Sequence, residues 1–310
     1  RNHYAKHNSG WFQTFVMRGT TQWWSPYDID WPPTLVMRGT TKWCSPYDRE
    51  KEGALHYAGG LSMTAKAVIL VAGMGTRLQP RTLTTHKCLT RVNGTPILFN
   101  ALDNLKDIGV EETVLVIGYL GDEIKKEIGS DHKGMKITYA VNDIYAQTNT
   151  SFSLKEGLSA VGDFDVLYLL EGDVFFDNVL LRRLVDDTHE NTTMVEPYEP
   201  RLDGTFVELA DDGFVADWTH KSMREENYVV EDKYKTINIH KFSAGFTKDV
   251  LTPCLNDICE ETNGKSPLEN IMRRIVRNDS HAVYGLTSGD GLWFEIDDEN
   301  DLKIAEEIFK

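Results

Sequence analysis

Cysteine is scarce in this chain. The four present, Cys44, Cys88, Cys254 and Cys259, form no CxxC pair, so neither a zinc knuckle nor a disulfide framework is readable. Basic charge is in deficit. Lys and Arg total 33 against 48 Asp and Glu, a net charge of −15, which argues against a nucleic acid or an anionic membrane as partner. An acidic protein can still bind a polyanionic ligand where cations cluster locally. Long apolar runs are also missing, since none approaches the ~20 residues of a membrane span. The first residues carry aromatics and prolines where a signal peptide needs an unbroken apolar segment, so the cytoplasm is the expected compartment.

A chain of 310 residues has room for a full core, in one large domain or one domain with an appendage. Residues 1–62 read as an N-terminal extension. Within it TFVMRGTTQWWSPYD (14–28) recurs as TLVMRGTTKWCSPYD (34–48), a tandem repeat with a period of 20 residues. Two copies fall short of the three or so that a solenoid requires. The Trp-rich segment is either a docking element or a duplicated, poorly ordered extension, and the main domain is expected over 63–310.

From residue 65 onward the pattern is regular. Residues 67–71 form a continuous apolar run, as expected of a strand buried on both faces of a parallel sheet. Further strands are expected at 113–117, 135–141 and 166–170, with helices at 96–105, 122–128 and 151–158 between them. This alternation predicts a doubly wound α/β fold. After about residue 190 the signals turn antiparallel. Residues 206–209 and 214–218 flank the turn Ala210-Asp211-Asp212-Gly213, and 236–242 alternates like a half-buried strand. Amphipathic segments at 250–259 and 268–276, a strand at 292–296 and a helix at 298–309 complete the chain.

Chemistry first shows at Gly73-Met74-Gly75-Thr76-Arg77, placed directly after the first buried strand. Glycines there let backbone N–H groups approach phosphate oxygens, and Arg77 can add a bidentate contact. Lys87 offers a second cation. This turn is not followed by the Gly-Lys-Ser/Thr of a P-loop, and Leu78 occupies the third small position of a dinucleotide-binding GxGxxG. Asp173 closes a buried strand, where an α/β sheet opens its ligand crevice. Asn149, just before a helix, either reads a pyrimidine edge or caps the helix, and one side chain can do both. Lys235 and Lys241 share parity along their extended segment, whereas Asn238 points oppositely unless a bulge intervenes.

AGMGTRLQPRTLTTHKCL followed by VNGTPIL resembles the GxGTRLxPxT…PKxLxxVxGxPxL pattern of sugar-phosphate nucleotidyltransferases. Within that superfamily it is more similar to the small cytidylyltransferases acting on phosphocholine or 2-aminoethylphosphonate. The resemblance continues at IGYL (117–120), NDIYAQTNTSFSL (142–154), LLEGDVFFD (169–177) and WFEIDDENDLKIAEEI (293–308), so it spans most of residues 65–310. His86 stands where the family has proline, which bears on the rigidity of the loop.

The resemblance implies a Rossmann-like, mostly parallel sheet with a smaller antiparallel acceptor-binding part. It implies nucleotide contacts from Ala72, Gly73, Met74, Gly75, Thr76, Arg77, Lys87, Gly118, Tyr119, Thr148, Asn149 and Thr150. Asp173, Glu295 and Asp297 would hold Mg²⁺, which takes hard oxygen ligands. Arg77, Lys87 and Asp173 would be catalytic, and Lys235 and Asn238 would meet the acceptor. The expected substrates are CTP and a small phosphonate or phosphate, and a homodimer is left open.

EGDV at the metal strand and the Thr-Asn motif lean towards 2-aminoethylphosphonate. Trp218, Tyr228 and Trp293 could serve the quaternary ammonium of phosphocholine, and Glu196, Glu208 or Asp217 a primary ammonium. Hexose 1-phosphates are disfavoured by the short acceptor half. Two other classes remain. A catalytically idle scaffold would lack the carboxylates that are present here, and an NAD-dependent oxidoreductase is opposed by Leu78 and by the missing ribose-binding context.

Overall fold

The computed structural model describes residues 63–310; the N-terminal extension and its repeat, residues 1–62, lie outside the described residues. The chain enters on β1 (Ala65–Val71) and passes through three short 3₁₀ turns. A hairpin of β2 (Arg91–Val92) and β3 (Thr95–Pro96) leads into α1 (Ile97–Asp107), β4 (Glu112–Ile117) and α2 (Gly121–Ile128). Next come β5 (Asp131–His132), β6 (Met135–Val141), α3 (Thr150–Ala160), β7 (Val166–Glu171), β8 (Val174–Phe176) and α4 (Val179–Asp186). The antiparallel part holds β9 (Thr192–Pro197), β10 (Phe206–Leu209), β11 (Val215–Thr219) and β12 (Tyr234–Ser243). A single turn, α5 (Ala244–Phe246), runs through a π-helical turn into α6 (Thr252–Thr262). The chain closes with α7 (Leu268–Asn278), β13 (Tyr284–Thr287), β14 (Trp293–Glu295) and α8 (Glu299–Ile308).

One sheet organises these elements, in the order β11-β10-β12-β7-β1-β4-β6-β5, with β9 on β12 and β13 on β9. Strands β7, β1, β4 and β6 are mutually parallel. The apolar run of β1 explains its central place. Ala67, Ile69 and Val71 pack into the core on one face, and Val68 and Leu70 into the core on the other. Helix α1 covers the first face with Leu98, Ala101, Leu102 and Leu105. From β1 the chain builds outward through β4 and β6, then returns to lay β7 on the opposite side. The carboxyl ends of β1 and β7 therefore flank a topological switch point, where α/β sheets open a ligand crevice. Strand β12 runs antiparallel to β7 and carries the antiparallel part on its other flank.

Among the described residues no helix is long and apolar enough to cross a membrane. The expected strands and helices are present, with shifted ends. Besides the two- and three-residue β2, β3, β5 and α5, the elements that escaped the sequence pattern are β8, α4, β9 and β13. In β9 the buried residues include Thr192 and Thr193, which are polar and blur the alternation of a half-buried strand. Strand β14 lies outside the main sheet and pairs antiparallel with β8, setting Glu295 opposite Val174.

Thr193 has a titratable partner. Its hydroxyl lies 2.9 Å from Nδ1 of His240, a ring buried in β12, and burial pushes that imidazole down to about 3. The unfolded chain takes up this proton first as pH falls below about 6.5, so the contribution is full above that value and is lost towards 3. Between pH 7.5 and 5.5 the loss is about 1.4 kcal/mol. In His240→Asn the stability lost over that interval should be smaller by that amount, read from urea-unfolding curves at the two pH values. Parallel pH dependences would refute it.

Candidate active site

The glycine turn follows β1 without a break. Gly75 has φ +58° and opens the turn Thr76–Leu78. A Cβ there would be strained by that dihedral and would lie 2.9 Å from Cβ of Lys87 and 3.3 Å from Cγ2 of Thr82. Glycine thus lets the Lys87 segment pack against the turn, and Thr82 Oγ1 ties it by donating to Gly75 O at 2.8 Å. His86, where the family pattern has proline, adopts φ −61° and ψ 142°, a backbone that proline would also impose. Its buried ring accepts from Cys88 N at 3.1 Å, and the backbone N–H of His86 donates to Glu123 Oε2 at 2.8 Å. The loop is held by a cap and an extra hydrogen bond in place of a ring.

The second component comes from the exit of β7. A Cβ on Gly172 would lie 2.2 Å from Val71 Cγ1, so only glycine lets the chain pass the end of β1 there. Asp173 then stands beside the glycine turn. Ile296 N donates to Asp173 O at 2.9 Å, and the β8–β14 pairing brings Glu295 and Asp297 to the same place. Asp173, Glu295 and Asp297 each offer an oxygen within 4.8 Å of the others. Lys87 Nζ bridges Asp173 Oδ2 at 2.8 Å and Asp297 Oδ1 at 2.7 Å. Arg77 reaches the same Asp297 oxygen at 2.8 Å, and Lys235 Nζ binds Glu295 Oε2 at 2.9 Å.

Charge in this centre is tightly coupled. Burial would lower the Lys87 ammonium, but Asp173 and Asp297 outweigh it and hold the group above its ordinary value. Burial likewise opposes ionisation of Asp297, and Lys87 prevails, keeping it low. Glu295 goes the other way: burial raises it, Lys235 pulls it back, and Asp173 and Asp297 push it up again. Glu171 stands well above the usual carboxylate range through burial, reinforced by Glu269, Asp173 and Glu295. The set suits a divalent cation: all donors are hard carboxylate oxygens, and Asp173 Oδ1 is buried without a hydrogen-bond partner.

These groups line one cleft of about 890 Å³ at the switch point. The glycine turn, Arg77, Lys87 and the Thr148-Asn149-Thr150 segment line it together with Glu171, Lys235, Asn238, Glu269 and Trp293, and Leu268 N at the start of α7 donates to Thr150 Oγ1 at 2.7 Å. Residues 67–220 match the MobA-like NTP transferase domain family. The chain is 30% identical over 246 residues, 79% of its length, to the CMP-5'-(3-aminopropyl)phosphonate synthase of Streptomyces rubellomurinus, covering 39% of that protein. It is 32% identical over 128 residues, 40% of its length, to the choline-phosphate cytidylyltransferase of Streptococcus pneumoniae, covering 52% of it. The chain thus spans about half or less of the length of these curated relatives.

Solved structures of similar fold include the CTP:phosphocholine cytidylyltransferase of Streptococcus pneumoniae, at TM-score 0.62 and 23% identity, covering 80% of this chain and 100% of that one. Another is the inositol-1-phosphate CTP transferase of T. maritima, at TM-score 0.62 and 20% identity, covering 80% and 96%. The chain belongs to the nucleotidyltransferases.

Most of the residues singled out in the sequence meet in the cleft. Ala72, Gly73, Gly75, Thr76, Arg77 and Lys87 line it, as do Thr148, Asn149 and Thr150. Asn149 also caps α3, its Oδ1 accepting from Thr150 N at 2.8 Å. Met74, Gly118 and Tyr119 do not line the cleft. Met74 is exposed, while Tyr119 braces the glycine turn from outside, donating its N–H to Ala72 O at 3.1 Å and its hydroxyl to Thr82 O at 2.8 Å. A bulge does intervene in β12: the register with β9 shifts between Thr236 and His240, and Asn238 takes φ +61°. The shift brings Lys235 and Asn238 to one cleft, while Lys241 turns away to the carbonyls of Leu184 and Asp187.

The carboxylates offered in the sequence for an ammonium lie elsewhere. Glu196 accepts from Trp293 Nε1 at 3.1 Å and from the Ser288 hydroxyl, Glu208 pairs with Lys233, and Asp217 pairs with Arg273 and Arg277. Trp218 is core, and Tyr228 lines a separate, smaller hollow. The cleft holds Glu171 and Glu269 instead. Neither was singled out. Glu171 sat inside the motif read for Asp173, and Glu269 looked like an ordinary first-turn acid of a helix.

Proposed function

We propose that this chain is a CTP-dependent cytidylyltransferase that joins CMP to 2-aminoethylphosphonate and releases pyrophosphate. The observation that carries the reading is the cluster of Asp173, Glu295 and Asp297 between two lysines, Lys87 on the glycine-turn side and Lys235 on the acceptor side. The reaction brings together a triphosphate and a phosphonate, two anions that repel. A centre with a cation on each side and carboxylates for a metal between them meets that need. A phosphonate oxygen attacks the α-phosphorus of CTP, one P–O bond forms, and the bond to the β-phosphate oxygen breaks. No covalent intermediate with the protein is required.

Arg77 and Lys87 hold the triphosphate and favour departure of pyrophosphate. Lys235 receives the phosphonate, and Asn149 and its threonine neighbours face the base. Asp173, Glu295 and Asp297 would hold Mg²⁺, which when bound would supply neutralising charge for the reacting phosphoryl group.

The acceptor follows from the character of the residues that line the cleft. A quaternary ammonium needs free aromatic faces. Of the three aromatics considered for it only Trp293 lines the cleft, and Lys235 Nζ already lies 5.9 Å from the centre of its ring. The cleft carboxyl groups of Glu171 and Glu269 suit a primary ammonium, which donates hydrogen bonds. The similarity to a relative named for an aminopropylphosphonate supports the same choice.

Pyrophosphate release measured across CTP, UTP, dTTP, ATP and GTP, against 2-aminoethylphosphonate, phosphocholine and hexose phosphates, tests the proposal. The highest kcat/KM is expected for CTP with 2-aminoethylphosphonate. Release with no pair overturns the enzyme reading, and a higher kcat/KM with phosphocholine transfers the assignment to that acceptor.

A further inference from the structure

Resting on the aminoalkylphosphonate reading, we propose that Glu171 and Glu269 together form the subsite that receives the primary ammonium of the acceptor, with Asn238 positioning Glu171. The two acids approach the cleft from different elements. Glu171 is the last residue of β7, and Glu269 lies in the first turn of α7. The amine of 2-aminoethylphosphonate is three bonds from phosphorus, so its subsite must lie within one short substrate length of Asp173. Glu171 precedes Asp173 by two residues across a turn, so their Cα atoms are at most about 7 Å apart.

Charge pairing separates these acids from the rest of the centre. Asp173, Glu295 and Asp297 are each ion-paired with a lysine or an arginine. The hydrogen bonds that Glu171 and Glu269 accept come from neutral groups: Asn238 Nδ2 at 3.4 Å for Glu171, and Thr205 Oγ1 at 2.9 Å for Glu269. Lys235 acts on Glu171 only at a distance, for its own hydrogen bonds go to Glu295 at 2.9 Å and to Thr236 O at 2.7 Å. Two carboxylates that share a cleft without an ion-paired cation call for a cationic ligand. An ammonium brings three donors, enough to meet both acids.

Asn238 shows that the arrangement is built. Its side chain is buried, with 8% exposure, on a backbone whose φ of +61° is uncommon for a residue with a Cβ. Its Oδ1 accepts from the Thr236 hydroxyl at 3.0 Å, which orients the amide so that Nδ2 faces Glu171. An amide N–H donated to the carboxylate leaves its remaining lone pairs for an incoming cation.

The test compares kcat/KM for 2-aminoethylphosphonate with that for ethylphosphonate, which lacks the amine, at saturating CTP. In the unaltered protein the amine substrate is strongly preferred. Glu171→Gln and Glu269→Gln are each expected to shrink that preference at least about thirtyfold, the scale of losing a charged partner to a partly buried ammonium. The loss should fall on KM for the amine substrate. Asn238→Gly, which tolerates the positive φ, should give an intermediate loss. The two glutamine variants are independent readings, so misfolding of one leaves the other decisive. Preference retained in folded variants overturns the subsite while leaving the acceptor reading intact. No release from 2-aminoethylphosphonate or its 3-aminopropyl homologue with the unaltered protein overturns both.

Discussion

Asp173→Asn is expected to lower kcat by at least about a thousandfold, roughly 4 kcal/mol of transition-state stabilisation, while the protein stays folded. Asparagine has nearly the shape of aspartate, and the backbone carbonyl that accepts from Ile296 N is untouched. What changes is charge at one atom pair. The carboxylate that accepts from Lys87 Nζ at 2.8 Å becomes a neutral amide, and one of three hard oxygen donors for a divalent cation is weakened. The effect on stability is small because two terms oppose. Lys87 loses one anionic partner, yet Glu171 and Glu295 lose a like charge that pushes both of them upward. Steady-state kinetics with CTP, beside a urea-unfolding curve, separates the two effects. Near-normal kcat in a folded Asp173→Asn protein would remove this residue from the mechanism.

The parts of the molecule legible in the sequence are those whose physics is local. β1 announces itself because a strand buried on both faces must be apolar throughout, and the glycine turn because Gly75, at φ +58° against Lys87, leaves no room for a Cβ. Asp173 was visible as the acid at a buried strand end. The acceptor side was less readable, since its geometry depends on contacts distant in sequence. The parity of Lys235 and Asn238 reverses at a bulge, and nothing in YKTINIHKFS marks Asn238 as left-handed until its partners Thr236 and Glu171 are seen. Glu196, Glu208 and Asp217 looked available for an ammonium, but each is engaged by Trp293, Lys233 or the α7 arginines. Strand β8 is three residues long, too short to carry a period, yet its pairing with β14 brings Glu295 and Asp297 to Asp173.

Lys87→Met tests the same centre from the side of its cation. Methionine keeps much of the aliphatic stem that packs beside Gly75 but removes the ammonium that joins Asp173 to Asp297. These side chains are only 14 to 20% exposed, so solvent screens the remaining carboxylates weakly. Breaking such a pair from one side leaves uncompensated buried charge, and a loss of about 3 kcal/mol is expected. For a domain of this size that lowers Tm by about 6 to 12 °C. Mg²⁺ should then raise Tm more in Lys87→Met than in the unaltered protein, measured against an EDTA control. In the unaltered protein the lysine already balances the oxygens that the ion would take, whereas in the variant the ion restores a missing counter-charge. Turnover should remain depressed even with Mg²⁺, because the ion would not replace the contact proposed between Lys87 and the triphosphate. An equal Mg²⁺ response in the two proteins would show that Lys87 and the ion do not share these carboxylates, and would move the metal away from Asp173 and Asp297.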